Sequence, residues 1–212
     1  MSCKQCAGIE EMFDAEHAKD ELKRYRKRGP RMTTRRLVRE LIREGVTGST
    51  VLDVGGGVGA AHLALLAAGA SSATDVDASR AFLKAAEREA ARRGVRDRVK
   101  HLHGDLVDLA PEIAPADFVV LDKVVCCYPD AESLLTLSAE KARRTLGLVY
   151  PSDMWVSRVI NWAFNLWVGM EDFKTYVHRR ERVEAFVGSR GLTLERRFLT
   201  GLWQVAIFSR PR

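Results

Sequence analysis

Residues 50–59 read Thr-Val-Leu-Asp-Val-Gly-Gly-Gly-Val-Gly, and residues 60–70 continue as AAHLALLAAGA. A short apolar run that breaks into glycines and then into an alanine- and leucine-rich stretch is the opening of a strand–turn–helix unit. Glycines at such a turn allow a tight bend and let backbone approach a ligand with no Cβ in the way. The pattern repeats outward from this unit. Strand SATDV ends at Asp77, helix AFLKAAEREAARRG stops at Gly94, and strand VKHLHG follows. Strand ADFVVLD then leads into a loop with two cysteines, a helix from about Ala131, and a fifth strand, TLGLVY, that stops at Pro151.

The remainder changes character. It holds an aromatic helix from about Met154, a loop with Phe173 and Tyr176, a helix from Arg180 to Ser189, and the strands LTLERRFLT and GLWQVAIFS, joined as a hairpin at Gly201. The expected fold is α/β: a Rossmann-like, doubly wound, seven-stranded sheet with an antiparallel C-terminal strand. The chain reads as one domain, residues 48–212 forming the core and residues 1–47 an N-terminal helical lid. That lid is expected as helices over 8–28 and 31–45, broken at Gly29-Pro30. Ligands of such sheets bind at the carboxyl ends of the strands, so the acids at those ends are the first functional candidates.

Length and composition narrow the class. At 212 residues, 46% hydrophobic and 29% charged, the chain suits a single globular domain. The N-terminus shows no basic region followed by an apolar one, which leads us to expect a cytoplasmic protein. The stretch Met154–Met170 is apolar but is interrupted by Ser157, Arg158, Asn161 and Asn165, so no membrane span is expected. The cysteines, in pairs at Cys3/Cys6 and Cys126/Cys127, are expected as thiols. Together they would suit a soft metal, but no histidine lies at ligand spacing and no metal is expected. The net charge of +6 is concentrated between Lys19 and Arg43, as a solvated helix face or a surface for an anionic partner.

The spacing D-x-G-x-G-x-G from Asp53 to Gly59 resembles motif one of the class I methyltransferases that use S-adenosylmethionine. The resemblance implies that cofactor, with Gly55, Gly57 and Gly59 cradling its amino-acid tail and Asp53 attracting its ammonium. It further implies Asp77 on the ribose hydroxyls, Asp105 and Leu106 beside the adenine, and Asp122 with Lys123 at the methyl-transfer pocket. The run VVLDKVVCCYP from Val119 to Pro129, with Tyr176-Val177-His178, is similar to the magnesium-protoporphyrin methyltransferases and their small-molecule relatives. Where those have a histidine before Tyr-Pro, this chain has Cys127, and Lys123 replaces an acid, so no histidine base stands at that spot.

The residues expected to receive or shuttle an acceptor proton are Tyr25, Cys127, Tyr128 and His178. The expected partner is a small-molecule acceptor, aromatic or hydrophobic, which Trp155, Trp162, Phe164 and Trp167 would cover. The other reading of those aromatics is a core-packing face or a homodimer face. Rival functions are an RNA methyltransferase using the basic helices, a nicotinamide oxidoreductase, and a cofactor-binding protein without catalysis. The loop after strand four lacks the Asn/Asp-Pro-Pro-aromatic tetrad of base-amino methyltransferases, and a Tyr-x-x-x-Lys pair is absent.

Overall fold

The computed structural model describes residues 4–169 and 173–211. Three helices come first: α1 (Lys4–Met12), α2 (Ala15–Arg28) and α3 (Met32–Arg43). The helix expected over 8–28 is two, because the Asp14 carboxylate accepts from the His17 amide at 2.8 Å and starts α2 afresh. Gly29, at φ +73°, closes α2 by donating its N–H to the Tyr25 carbonyl at 2.7 Å, and Pro30 prevents continuation.

The alternating units follow as β1 (Thr50–Val54), α4 (Ala60–Ala67), β2 (Ser72–Asp77), α5 (Arg80–Arg92), β3 (Val99–His103), α6 (Leu106–Leu109), β4 (Ala116–Asp122), α7 (Ala131–Lys141) and β5 (Ala142–Pro151). Then come α8 (Trp155–Val168), α9 (Arg180–Gly188), and the hairpin β6 (Thr193–Thr200) and β7 (Trp203–Ser209). The sheet order is β3-β2-β1-β4-β5-β7-β6. The first five strands are parallel, and β7 lies antiparallel between β5 and β6. The order reverses between β1 and β4, which opens a crevice above their carboxyl ends.

Strand alternation feeds two apolar layers. Leu52, Val119, Leu121, Leu146 and Leu148 face α7 and α9, whereas Val51, Phe118, Val120, Val149 and Ile207 face α3 and α4. Part of the segment expected as a lid is therefore core, since Leu37, Val38 and Leu41 of α3 are buried against the sheet. A Cβ on Gly147 of β5 would sit 2.7 Å from Leu37 Cδ1 and 3.1 Å from Leu41 Cδ2, so α3 packs this closely only over a bare backbone. α2 lies against α5, with Tyr25, Phe82 and Ala85 in a third, smaller cluster.

The basic run closes on itself. Arg24 and Arg31 bind Glu21, Arg36 and Arg43 bind Glu40, and Arg26 reaches Glu89 of α5 at 2.8 Å. Hydrogen bonding by Arg92, against the cost of burial and with Arg26 and Arg93 adding to it, pulls the Glu89 carboxyl down to about 2. Five of the eleven bases between Lys19 and Arg43 are thus held by carboxylates of the chain.

Gly147→Ala should destabilise the fold by about 1–3 kcal/mol through overpacking under α3. Combining it with Leu37→Ala should cost less than the sum of the two single changes, measured by chemical denaturation.

Candidate active site

A cavity of about 820 Å³ occupies the crevice above β1, β2 and β4. One wall is the bend from Gly55 to Gly59, where Gly55, Gly57 and Gly59 all take left-handed backbone at φ +63°, +59° and +82°. Gly59, the N-cap of α4, has no side chain to cap it; the His62 amide of the first turn donates to Asp53 Oδ2 at 3.3 Å, and the helix presents its positive end at the bend. Gly56, which the motif spacing leaves unmarked, is the most confined: a Cβ there would lie 2.2 Å from Asp75 Oδ1 and 3.1 Å from Asp53 Oδ2.

Asp77 ends β2 inside the cavity and accepts from the Gly57 amide at 3.0 Å and the Ser79 amide at 2.8 Å. Burial, reinforced by the nearby charge of Asp75, lifts its carboxyl to about 7. Asp53 also borders the cavity, but its Oδ2 accepts from the His62 ring at 2.9 Å, and its side chain is turned beneath the bend instead of out toward a ligand ammonium. Asp105 caps α6 through the Val107 amide and accepts the Tyr128 hydroxyl on both oxygens, at 2.9 and 2.8 Å. Leu106 packs beside it at the cavity wall.

At the end of β4, Asp122 accepts the Thr34 hydroxyl of α3, and Lys123 Nζ stands 3.8 Å from it. Lys123 is, among the described residues, the sole non-glycine in left-handed backbone, at φ +67°. Its ammonium lies over the Trp203 ring, 5.4 Å from the centroid. Such strained backbone at a strand end is typical of residues aimed into a site.

The four residues expected to handle a proton divide. Cys127 and Tyr128 border the cavity, with the Tyr128 hydroxyl given to Asp105. Tyr25 does not: its position on α2 turns it to α5, where it is buried and accepts from Arg93 Nη2 at 2.9 Å. His178 is also outside, because its Nε2 binds the Val125 carbonyl at 3.1 Å behind the β4 loop, while the Tyr176 amide grips the Cys126 carbonyl. Burial lowers the His178 pKa, which keeps the ring neutral there. Cys3 and the Cys6 side chain lie outside the described residues. Among the described residues no cluster of three or more histidine, cysteine or acidic groups could hold a metal.

α8 divides its apolar surface. Ile160, Phe164 and Trp167 border the cavity with Phe173 and Trp203, whereas Trp155 and Trp162 do not, and all three tryptophans of α8 are largely exposed, at 82%, 77% and 67% for Trp167, Trp155 and Trp162. The aromatics are not packed into the core, as one reading of the sequence had it. Among the described residues no helix is long and apolar enough to cross a membrane.

The raised Asp77 pKa carries a sign for stability. A carboxyl lifted from 3.8 to about 7 stabilises the folded state fully at low pH and less as pH climbs through its folded value. Asp77→Asn should therefore gain thermal stability relative to the parent between about pH 5 and pH 8, in a ligand-free melting series. A constant difference across that range would contradict the buried-charge account.

Comparison with known proteins agrees with this geometry. Residues 51–145 match the family model described as a methyltransferase domain. A search of curated proteins finds no match. Among solved structures, magnesium protoporphyrin IX methyltransferase from Synechocystis PCC 6803 with bound SAM aligns at a TM-score of 0.75 and 19% identity, covering 98% of this chain and 97% of that one. The same enzyme with bound SAH gives 0.72 and 22%, over 84% and 82%. An O-methyltransferase family protein from Burkholderia thailandensis gives 0.72 and 18%, over 93% of this chain and 60% of that one. At such identities these likenesses speak for the fold, and the family match speaks for the segment that builds the glycine bend. Residues 51–145 thus match a methyltransferase domain, and the seven-stranded sheet that contains them has the fold of the solved methyltransferases.

Proposed function

We propose that the chain transfers the methyl group to a small, largely apolar acceptor lying between the glycine bend and α8. One observation carries this reading: a single cavity joins the bend and Asp77 to the wall of Ile160, Phe164, Trp167, Phe173 and Trp203. An apolar wall of this kind suits a flat or hydrophobic molecule more than a charged polymer. Five arginines of the basic run pair with carboxylates of the chain, which leaves less of its charge for an RNA acceptor.

The residues present fit the cofactor, since Gly55, Gly56 and Gly57 offer the cavity bare backbone and Asp77 brings a carboxyl to its edge. Gly55 to Gly59 and the α4 N-terminus would hold the donor's amino-acid tail, Asp77 its ribose, and Asp105 with Leu106 its adenine. When bound, S-adenosylmethionine supplies an electrophilic methyl group on a sulfonium. The chain's own task is then alignment and exclusion of water, which for an in-line displacement can provide much of the rate. Tyr128 serves by holding Asp105 in place, and Cys127 and Lys123 border the path from donor to acceptor.

Two measurements test this. Tyr128→Phe should weaken donor binding roughly 5- to 10-fold, the loss of one or two hydrogen bonds to a carboxylate, with kcat within about twofold; a large fall in kcat at unchanged donor affinity would assign Tyr128 to proton transfer instead. Phe164→Ala should raise the acceptor KM while donor affinity stays fixed, in assays following labelled methyl transfer to a panel of aromatic phenols, carboxylates and RNA. Transfer to RNA alone would overturn the small-molecule reading.

A further inference from the structure

Strand register builds a polar row under the bend. Asp53 of β1 stands beside Asp75 of β2, and Asp75 beside His101 of β3, all on the face covered by α4. His62 comes down from α4 onto this row. Its Nδ1 lies 2.9 Å from Asp53 Oδ2, the His101 Nδ1 lies 2.9 Å from Asp75 Oδ2, and the two imidazoles meet edge to face with centroids 6.2 Å apart. Asp53, His62 and Asp75 are at most 1% exposed.

The row touches the bend directly. Gly56 rests on Asp75, and a Cβ on Gly59 would meet His62 Nε2 at 2.8 Å. Asp53 Oδ1, Asp75 Oδ1, His62 Nε2 and His101 Nε2 are buried without a hydrogen-bond partner. Two carboxylates on neighbouring strands repel in a low dielectric, and each has one imidazole as its counter-group.

We propose that Asp53, His62, Asp75 and His101 form a positioning row that seats the bend and sets the negative charge beneath the donor, so that protons on the row govern preference for donor over demethylated product. This rests on the reading that the bend holds the donor. S-adenosylmethionine carries a sulfonium, an ammonium and a carboxylate, whereas S-adenosylhomocysteine has lost the sulfonium charge. The two share ribose, adenine and tail, so the ratio of their affinities isolates the response to that one charge. A more negative row favours the cation.

Other charges face the row from the elements around it: Asp77 at the end of β2, Asp122 at the end of β4, and Glu87 of α5 near His101. Burial opposes a proton on His62, but the Asp53 hydrogen bond and the Asp75 and Asp53 charges outweigh it and hold the ring above its ordinary pKa. Burial likewise lifts the Asp53 carboxyl above the usual carboxylate range, so the pair holds its protons more tightly than the free groups, and each proton lost as pH rises makes the row more negative.

Calorimetric titration of the whole chain with each of the two ligands, from about pH 6 to pH 9, tests the proposal. The ratio of product Kd to donor Kd should rise several-fold with pH in the parent protein. His62→Asn keeps a donor toward Asp53 but cannot titrate, and should flatten that rise to less than about twofold while both ligands still bind. His101→Asn is the second variant, should the first fail to fold, and is expected to reduce the rise. A purely structural role would lower the melting temperature and leave the profile parallel to the parent's, which would overturn the inference alone. A parent ratio that does not change with pH would do the same. Failure of the parent to bind either ligand at any pH would overturn the donor site as well.

Discussion

Gly56 crosses Asp75 so closely that no side chain fits between them, and the placement of the bend depends on that contact. The bend must clear buried carboxylates below and leave space above, and bare backbone meets both demands. The reversal of strand order between β1 and β4 puts the crevice over this spot, and α4 begins here with its positive end at the bend. Asp77, which grips the Gly57 amide, then ties the neighbouring strand to the same bend. The wall of the cavity and the sheet topology are thus one arrangement.

Much of this was legible in the chain. The alternation of apolar strands with alanine- and leucine-rich helices announces the parallel units, because each strand end and helix start carries its own glycine, proline or acid. The positions of Asp77, Asp105 and Asp122 at strand ends follow from the same pattern. Side-chain direction is less accessible. Tyr25 and His178 have suitable chemistry, yet the rotation of α2 and the course of the 173–179 segment turn both away from the cavity. The polar row is harder still, since Asp53, Asp75 and His101 come from three separate strands and meet only through register. The one local hint was His62, a lone polar side chain among the alanines and leucines of α4.

Charge was also redistributed by tertiary structure. The bases between Lys19 and Arg43 look like a surface feature when read in order, but Glu21, Glu40 and Glu89 draw several of them into clasps between α2, α3 and α5. Glu40 and Glu89 are both fully buried, and each is held by three arginines. The helices α2 and α3 are consequently bound to the rest of the chain by apolar contact and by ion pairs together.

The aromatic helix has an optical consequence. Every tryptophan of the chain, Trp155, Trp162, Trp167 and Trp203, lies on α8 or at the first residue of β7. Tryptophan emission, excited to the red of tyrosine absorption, therefore reports on α8 and the start of β7, and quenchers of that emission would sample those elements. Occupation of the neighbouring space would change the colour of the emitted light without any attached dye, whereas loosening of the β3 edge would go unseen by this signal.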